Sequence, residues 1–353
     1  MISLKTVLLI FSRSVHFITG AIRYWLDGRT PEQAYQSMVG LFCLTGGVSN
    51  DIVSGALSLT RRPYALPNAS GLLGELSVSD VKQAVSRLDE QGYYVFERRL
   101  PSDLCDRLLD FSLRNRCGAR NRDGLLTSVD CYPRHRPQAV RYDFFEQDVI
   151  CNPDVQTLMA DLSIIVVAQS YLRCQPLADV TAMWWNTDYL KEADKAAAQF
   201  WHFDMDRIKW LKFFIYLTDV EDYSGPHSFV AGSHRSGGIP RGLLEKGYSR
   251  LTDEEVGTYF PPERIVEMVA PRGTVIAEDT RGLHKGKNVL RGDRLMLQLQ
   301  FSNSLFGGNY PPAWFGDRLD ASLKIMLKTY PRIYANYTRE RATGRAATNA
   351  WTA

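Results

Sequence analysis

Apolar residues in the first segment, TVLLIFSRSVHFITGAIRYWL, recur at three- and four-residue steps. Val7, Leu8, Phe11, Val15, Ile18, Ile22 and Trp25 fall on one side, with Arg13, Gly20 and Arg23 opposite. That spacing predicts an amphipathic helix. Asp27-Gly28 ends it, and TPEQ begins another, with Thr30 as cap, Pro31 in the first turn and Gln33 reaching back to complete a capping box. The second helix is expected to run to about Cys43. TGG and then RRPYALPNASG interrupt the periodicity, which sets an N-terminal helical region over residues 1–70.

Beyond this point the texture changes. SVSDVKQAVSRLDEQGYYVFERRLPSDLCDRLLDFSLR reads as a capped helix stopped by Gly92, a short strand from Tyr93 to Phe96 and a further helix from Ser102. PDVQTLMADLSIIVVAQSYL supplies another helix, with Pro153 near its start. From there to about residue 305 the chain is strand-rich: VTAMWWNT, QFWHFDMD, LKFFIYLTDV, SFVAGSH, GTVIAED, GLHKGKNV and RLMLQLQFS alternate with turn formers. A mainly β body with packed helices (α+β), closed as a sandwich or barrel, is expected over residues 71–310. DASLKIMLKTY opens a C-terminal helix, followed by a polar, irregular tail to complete residues 311–353.

Composition narrows the partners. With 353 residues, 45% of them hydrophobic, the chain can bury one large core. Forty-two basic against 39 acidic side chains leave a formal charge of +3, too little for a general nucleic-acid binder, so no nucleic-acid partner is expected. Cys43, Cys105, Cys117, Cys131, Cys151 and Cys174 are scattered without a C-x-x-C pair, which fits reduced thiols and a cytoplasmic location. Arg13 interrupts the first apolar run, and no small-residue cleavage pattern follows it, so neither a conventional span nor a secretory signal is the first choice. The apolar stripe is expected to pack on the protein's own body. Its basic flanks make a peripheral membrane or partner contact through residues 1–28 the alternative.

The chemistry begins at FWHFDMD. In a strand His202 and Asp204 project to one side while Trp201 and Phe203 project to the other. An imidazole and a carboxylate need a third ligand to hold a divalent ion, and His284 in DTRGLHKGKN offers it. Two histidines and a carboxylate leave adjacent coordination positions open, the arrangement of non-heme iron(II) oxygenases. Ten residues on, Arg294 opens RLMLQLQF and shares a face with Met296. Arginine is the side chain best shaped to grip a carboxylate at two points.

WHFDMD, LKFFIYLTDVEDYSGPHSFVAGSHR and DTRGLHKGKNVLRGDR together resemble the phytanoyl-CoA dioxygenase family of iron(II)- and 2-oxoglutarate-dependent oxygenases, over about residues 75–310. The resemblance implies a double-stranded β-helix (jelly-roll, cupin-like) core. It also implies Fe(II) held by His202, Asp204 and His284, with 2-oxoglutarate and O2 as co-substrates and Arg294 on the far carboxylate. Asn186 sits where relatives often carry a polar residue near the co-substrate. Lys212 shares a strand face with Phe214 and Tyr216, so it either reaches the surface or meets a carboxylate of co-substrate or substrate. Trp185, Phe214 and Arg281 are candidates for substrate binding, although a barrel core uses the same aromatic residues and a solvated face the same charge. His227 and His234 resemble turn or supporting positions, not ligands. HSFV departs from the more usual hydrophobic residue after GP. Halogenating relatives lack the ligand carboxylate, so Asp204 favours hydroxylation of an unactivated C–H bond in a small-molecule or lipid-like substrate. Rival readings are a cupin-like metalloenzyme that does not use 2-oxoglutarate, and a non-catalytic membrane- or partner-binding module.

Overall fold

The structure is a computed structural model that describes residues 4–66 and 69–338. The last part of the polar tail expected at the C-terminus lies outside the described residues.

Its centre is an antiparallel eight-stranded sheet facing a smaller three-stranded one. Across the large sheet the strands run in the order Tyr93–Val95, Val275–Glu278, Trp210–Tyr216, Asp293–Ser302, Leu177–Thr187, Arg141–Phe144, Arg116–Arg120 and Leu126–Cys131. The small sheet sets His227–Val230 between Ile265–Met268 and His284–Gly286. This is the double-stranded β-helix expected from the sequence, within an α+β architecture. Alternation sorts the residues of the large sheet. Leu211, Phe213, Ile215, Leu295, Leu297 and Leu299 face outward into a core with helices Ser102–Arg114, Pro153–Met159 and Leu162–Leu172. Phe214, Tyr216, Trp184, Ile276 and Met296 face inward, toward Phe229 and Met268 of the small sheet.

The helix Val78–Gln91 opens with a reciprocal capping box between Ser77 and Asp80 and ends at Gly92, whose φ of 90° only glycine adopts freely. Other boundaries depart from expectation. Thr30 does not cap the second helix: its hydroxyl accepts from the Gly307 N–H, and the helix Glu32–Thr45 begins after Pro31 without a side-chain cap. TGG ends one helix and starts another, since Gly46 takes the left-handed cap and Val48–Thr60 follows. The run from Pro153 is two helices, because Asp161 accepts from the Ile164 N–H and caps the second. Strands Arg116–Arg120, Leu126–Cys131, Arg141–Phe144 and Ile265–Met268 escaped the sequence reading; their mixed polar composition hid the period of two.

The N-terminal helices close the back of the site. Ala34, Met38, Val39 and Phe42 pack with Trp201, Phe203 and Met205 in one core. Asn50 donates to the carbonyl of Ile208 at 2.9 Å, and Asn303 donates to the Ser54 hydroxyl at 3.0 Å. The first helix, Leu4–Asp27, is seated the opposite way from the expected one. Gly20 is its buried residue, placed where a Cβ would lie 2.1 Å from that of Ala34. Phe17 and Tyr24 meet the ring of Phe306 edge-on at 5.1 and 5.6 Å. The apolar stripe therefore faces outward, because close backbone approach at a small residue decided which side was covered.

Candidate metal centre

His202 and His284 form an isolated antiparallel bridge, with mutual N–H to carbonyl bonds of 3.0 and 2.8 Å. The segment carrying His202 is not the continuous strand expected. The Asp204 N–H donates instead to the Thr280 carbonyl at 2.7 Å, so the ladder breaks while the alternation survives. Trp201 and Phe203 remain on the outer side, against the N-terminal helices.

The imidazoles lie with ring centroids 4.2 Å apart. His202 Nδ1 is 2.9 Å from the Phe200 carbonyl and His284 Nδ1 is 3.0 Å from the Gly282 carbonyl. A carbonyl accepts only, so each Nδ1 carries the proton and each Nε2 lone pair is free for a metal. Both Nε2 atoms point at Asp204, at 3.7 Å from Oδ1 for His202 and 3.4 Å from Oδ2 for His284. One donor atom from each of His202, Asp204 and His284 lies within 4.8 Å of the others. Burial, and then the neighbouring His284, keep His202 well below the usual imidazole range. Burial alone would raise the Asp204 carboxyl, but the Lys212 ammonium and His284 hold it well below its ordinary value. His202 is thus set to be neutral and Asp204 to be ionised.

Lys212 neither reaches the surface nor awaits a co-substrate. It is buried, with Nζ 2.6 Å from Asp204 Oδ2 and 3.1 Å from Asp206 Oδ2. Asp206 was overlooked, although it continues the alternation of His202 and Asp204.

Arg294 lies on the inner face, paired in register with Asn186. Its Nη2 donates to Asn186 Oδ1 at 2.9 Å, and the same oxygen accepts from Trp184 Nε1 at 2.9 Å. Arg294 Nε and Nη1 and Asn186 Nδ2 are buried without a partner among the described residues. Burial lowers the guanidinium to about 10. Gly286 lets it approach the small sheet: a Cβ there would lie 3.0 Å from Nη2. Gly286 stands two residues beyond His284, about 6.6 Å along a strand, the scale of a five-carbon diacid.

The remaining candidates divide. Phe214 faces inward, its ring 4.6 Å from that of His227. Trp185 does not: it is fully buried on the helix side, stacked on Tyr132 at 4.5 Å. The period of two puts Trp184, not Trp185, on the face of Asn186. Arg281 is also withdrawn. It is buried, clamped by Asp279 at 2.7 Å and by Asp51 of the third helix at 3.0 Å. Lys285 pairs outside the site with Asp253.

Among the described residues, neither His227 nor His234 belongs to the donor cluster. His227 lies with its ring 5.7 Å from that of His284 and with Nε2 3.0 Å from Oε1 of Glu278. Burial lifts Glu278 to about 8, and burial beside Arg294 holds His227 at about 3. Their side chains thus share one hydrogen bond inside the core. Glu278 was missed; the signal was a carboxylate inside the apolar run GTVIAED.

The sequence profile of the phytanoyl-CoA dioxygenase family matches residues 88–292. The chain belongs to that family and is a non-heme iron- and 2-oxoglutarate-dependent oxygenase by class. Three solved structures are similar to it at a distance. EctD from S. alaskensis, in its apoform, shares 19% identity at a TM-score of 0.47, over 74% of this chain and 91% of that one. HygX from Streptomyces hygroscopicus, with nickel and 2-oxoglutarate bound, shares 16% at 0.46, over 69% and 93%. The 2-oxoglutarate-dependent epimerase SnoN from nogalamycin biosynthesis shares 16% at 0.43, over 64% and 83%. No curated protein matches the sequence.

Proposed function

We infer that His202, Asp204 and His284 hold Fe(II) and that Arg294 receives the far carboxylate of 2-oxoglutarate, in a hydroxylase acting on an unactivated C–H bond of a small-molecule or lipid-like substrate. The observation that carries this reading is the pairing of a three-donor cluster with a buried guanidinium two of whose donors lack partners. A buried polar group without a partner costs about 1–3 kcal/mol, more when charged, and a bound carboxylate removes that cost. The donor set suits iron(II), being two imidazoles and a carboxylate with open positions. Iron(II) held there would supply the redox chemistry of the reaction.

The chain's own residues supply the rest. The Phe200 and Gly282 carbonyls fix the tautomer and angle of the two imidazoles. Lys212 keeps Asp204 ionised and orients its carboxylate. Asn186 steadies the guanidinium through Nη2, leaving Nε and Nη1 for the ligand. Trp184, Phe214 and Met296 form an apolar wall that excludes water beside these charges. The scattered free cysteines support a cytoplasmic location.

Anaerobic addition of iron(II) and 2-oxoglutarate should produce a weak visible charge-transfer band that His202→Ala or Asp204→Ala abolishes. Iron-loaded wild-type protein showing no band and forming no succinate would refute the assignment.

A further inference from the structure

We propose that the outward face of the first helix is a docking surface for the headgroup region of an anionic phospholipid bilayer. This proposal stands apart from the catalytic reading, and neither falls with the other.

Leu4, Phe11, Ile18 and Trp25 stand seven residues apart, with Leu8 and Ile22 between them, so they form one straight seam along the helix Leu4–Asp27. All are solvent-exposed, from 56% at Ile22 to 81% at Trp25. Single exposed apolar residues are ordinary; a continuous seam running the length of a helix marks an interaction site. Nor can the helix roll to hide it. Gly20 is in contact with Ala34, Arg13 Nη1 donates to the Gln36 carbonyl at 2.9 Å, and Phe17 and Tyr24 hold Phe306. Turning the seam inward would give up all of these.

Charge selects the occupant. Lys5 and Arg23 are both exposed and lie 18 residues apart, which is five full turns, so they line the same flank of the seam. Asp27, at the last turn, is the sole acidic residue of the helix. A second copy of this face would bring Lys5 and Arg23 to the seam's edge with Asp27, beside Arg23, as the one acidic residue to meet them, where paired helices ordinarily place several salt bridges. Acidic lipid headgroups complement the flank, and long basic side chains reach them while their stems lie on apolar surface. Trp25, the most exposed of the seam, is the residue type favoured at the headgroup level. By length and composition this helix could cross a bilayer, but the contacts that tie its other face to the protein body fix it parallel to the surface.

The test uses the full chain and vesicles of phosphatidylcholine mixed with phosphatidylglycerol, against phosphatidylcholine alone. Wild-type protein should sediment with the mixed vesicles and less with the neutral ones. Phe11→Ser combined with Ile18→Ser should weaken binding by at least roughly tenfold, while melting with the wild type, because neither side chain is buried. Lys5→Glu combined with Arg23→Glu should erase the preference for anionic lipid. Brominated acyl chains should quench wild-type tryptophan fluorescence more than that of Trp25→Phe. Wild-type protein left in the supernatant, equal sedimentation of the Phe11→Ser/Ile18→Ser variant, or equal quenching of Trp25→Phe would overturn the proposal. So would a vesicle-free, concentration-dependent dimer that the Phe11→Ser/Ile18→Ser pair converts to monomer, since the seam would then belong to a second copy.

Discussion

Replacing Arg294 with methionine should weaken 2-oxoglutarate binding and stabilise the ligand-free protein, and the opposite signs are the test. In the free protein the guanidinium is 2% exposed, donates once to Asn186 and keeps Nε and Nη1 unpartnered. Burial brings it from 12.5 to about 10. For a base, a folded value below the unfolded one means that the charged form is penalised in the fold. That penalty is on the order of 3 kcal/mol, constant across neutral pH and relieved only as pH rises above about 10. Methionine removes it. The loss of the bond to Asn186 costs about 1.5 kcal/mol, because Asn186 Oδ1 keeps Trp184 Nε1 as a donor. The variant should therefore be about 1–2 kcal/mol more stable and melt about 1–3 °C higher. On the ligand side, two charge-assisted bonds at about 1.5–3 kcal/mol each amount to about 10²- to 10⁴-fold in affinity. Calorimetric titration of nickel(II)-loaded protein with 2-oxoglutarate, paired with thermal melts of the free protein, measures both. A variant that binds within tenfold of wild type, or that melts lower when free, would show that Arg294 is a structural residue and not a co-substrate residue.

Three further perturbations probe the surroundings. Lys212→Met leaves Asp204 and Asp206 together without their ammonium, so the metal-free protein should lose about 3–5 kcal/mol. Nickel(II) should then raise its melting temperature by more than it raises that of wild type; an equal gain would mean that Lys212 does not govern Asp204. Glu278 rises from 4.5 to about 8 through burial, so the fold keeps a proton that the unfolded chain releases. Metal-free stability should fall as pH climbs between those values, by up to about 4–5 kcal/mol, and Glu278→Gln should flatten that part of the slope in urea titrations; a parallel slope in the variant would count against a buried neutral carboxyl. Gly92→Ala forces a φ of 90° on alanine and sets a Cβ 2.5 Å from His234 Nδ1 and 2.7 Å from Phe229 Cζ. A loss of about 2–4 kcal/mol is expected, with weaker nickel binding because Phe229 is the register partner of His284; unchanged melting would refute it.

How far the sequence could be read depended on whether a residue's role follows from its own type and spacing or from a partner elsewhere. That His202, Asp204 and His284 would come together, and that Arg294 would be buried, was legible because metal ligation and carboxylate recognition restrict the residue types. The family resemblance singled out Asn186 and alternation put Phe214 on the inner face, and alternation applied along MWWN would have replaced Trp185 with Trp184. Arg281 and Lys212 were opaque for another reason. Their charges are matched by Asp279, two residues away, and by Asp51 of the third helix in one case, and by Asp204 and Asp206 in the other, pairings that residue type and strand alternation alone do not reveal. The first helix shows the limit most clearly. A periodicity of apolar residues identifies a helix and its faces, but the covered face was chosen by contact at Gly20, where the absence of a Cβ admits Ala34. The hydrophobic stripe that made the helix recognisable is thus the part its own fold does not use. A stripe kept apolar without intramolecular burial calls for an apolar surface outside the chain, and that links the sequence pattern to membrane docking more directly than either composition or fold class could.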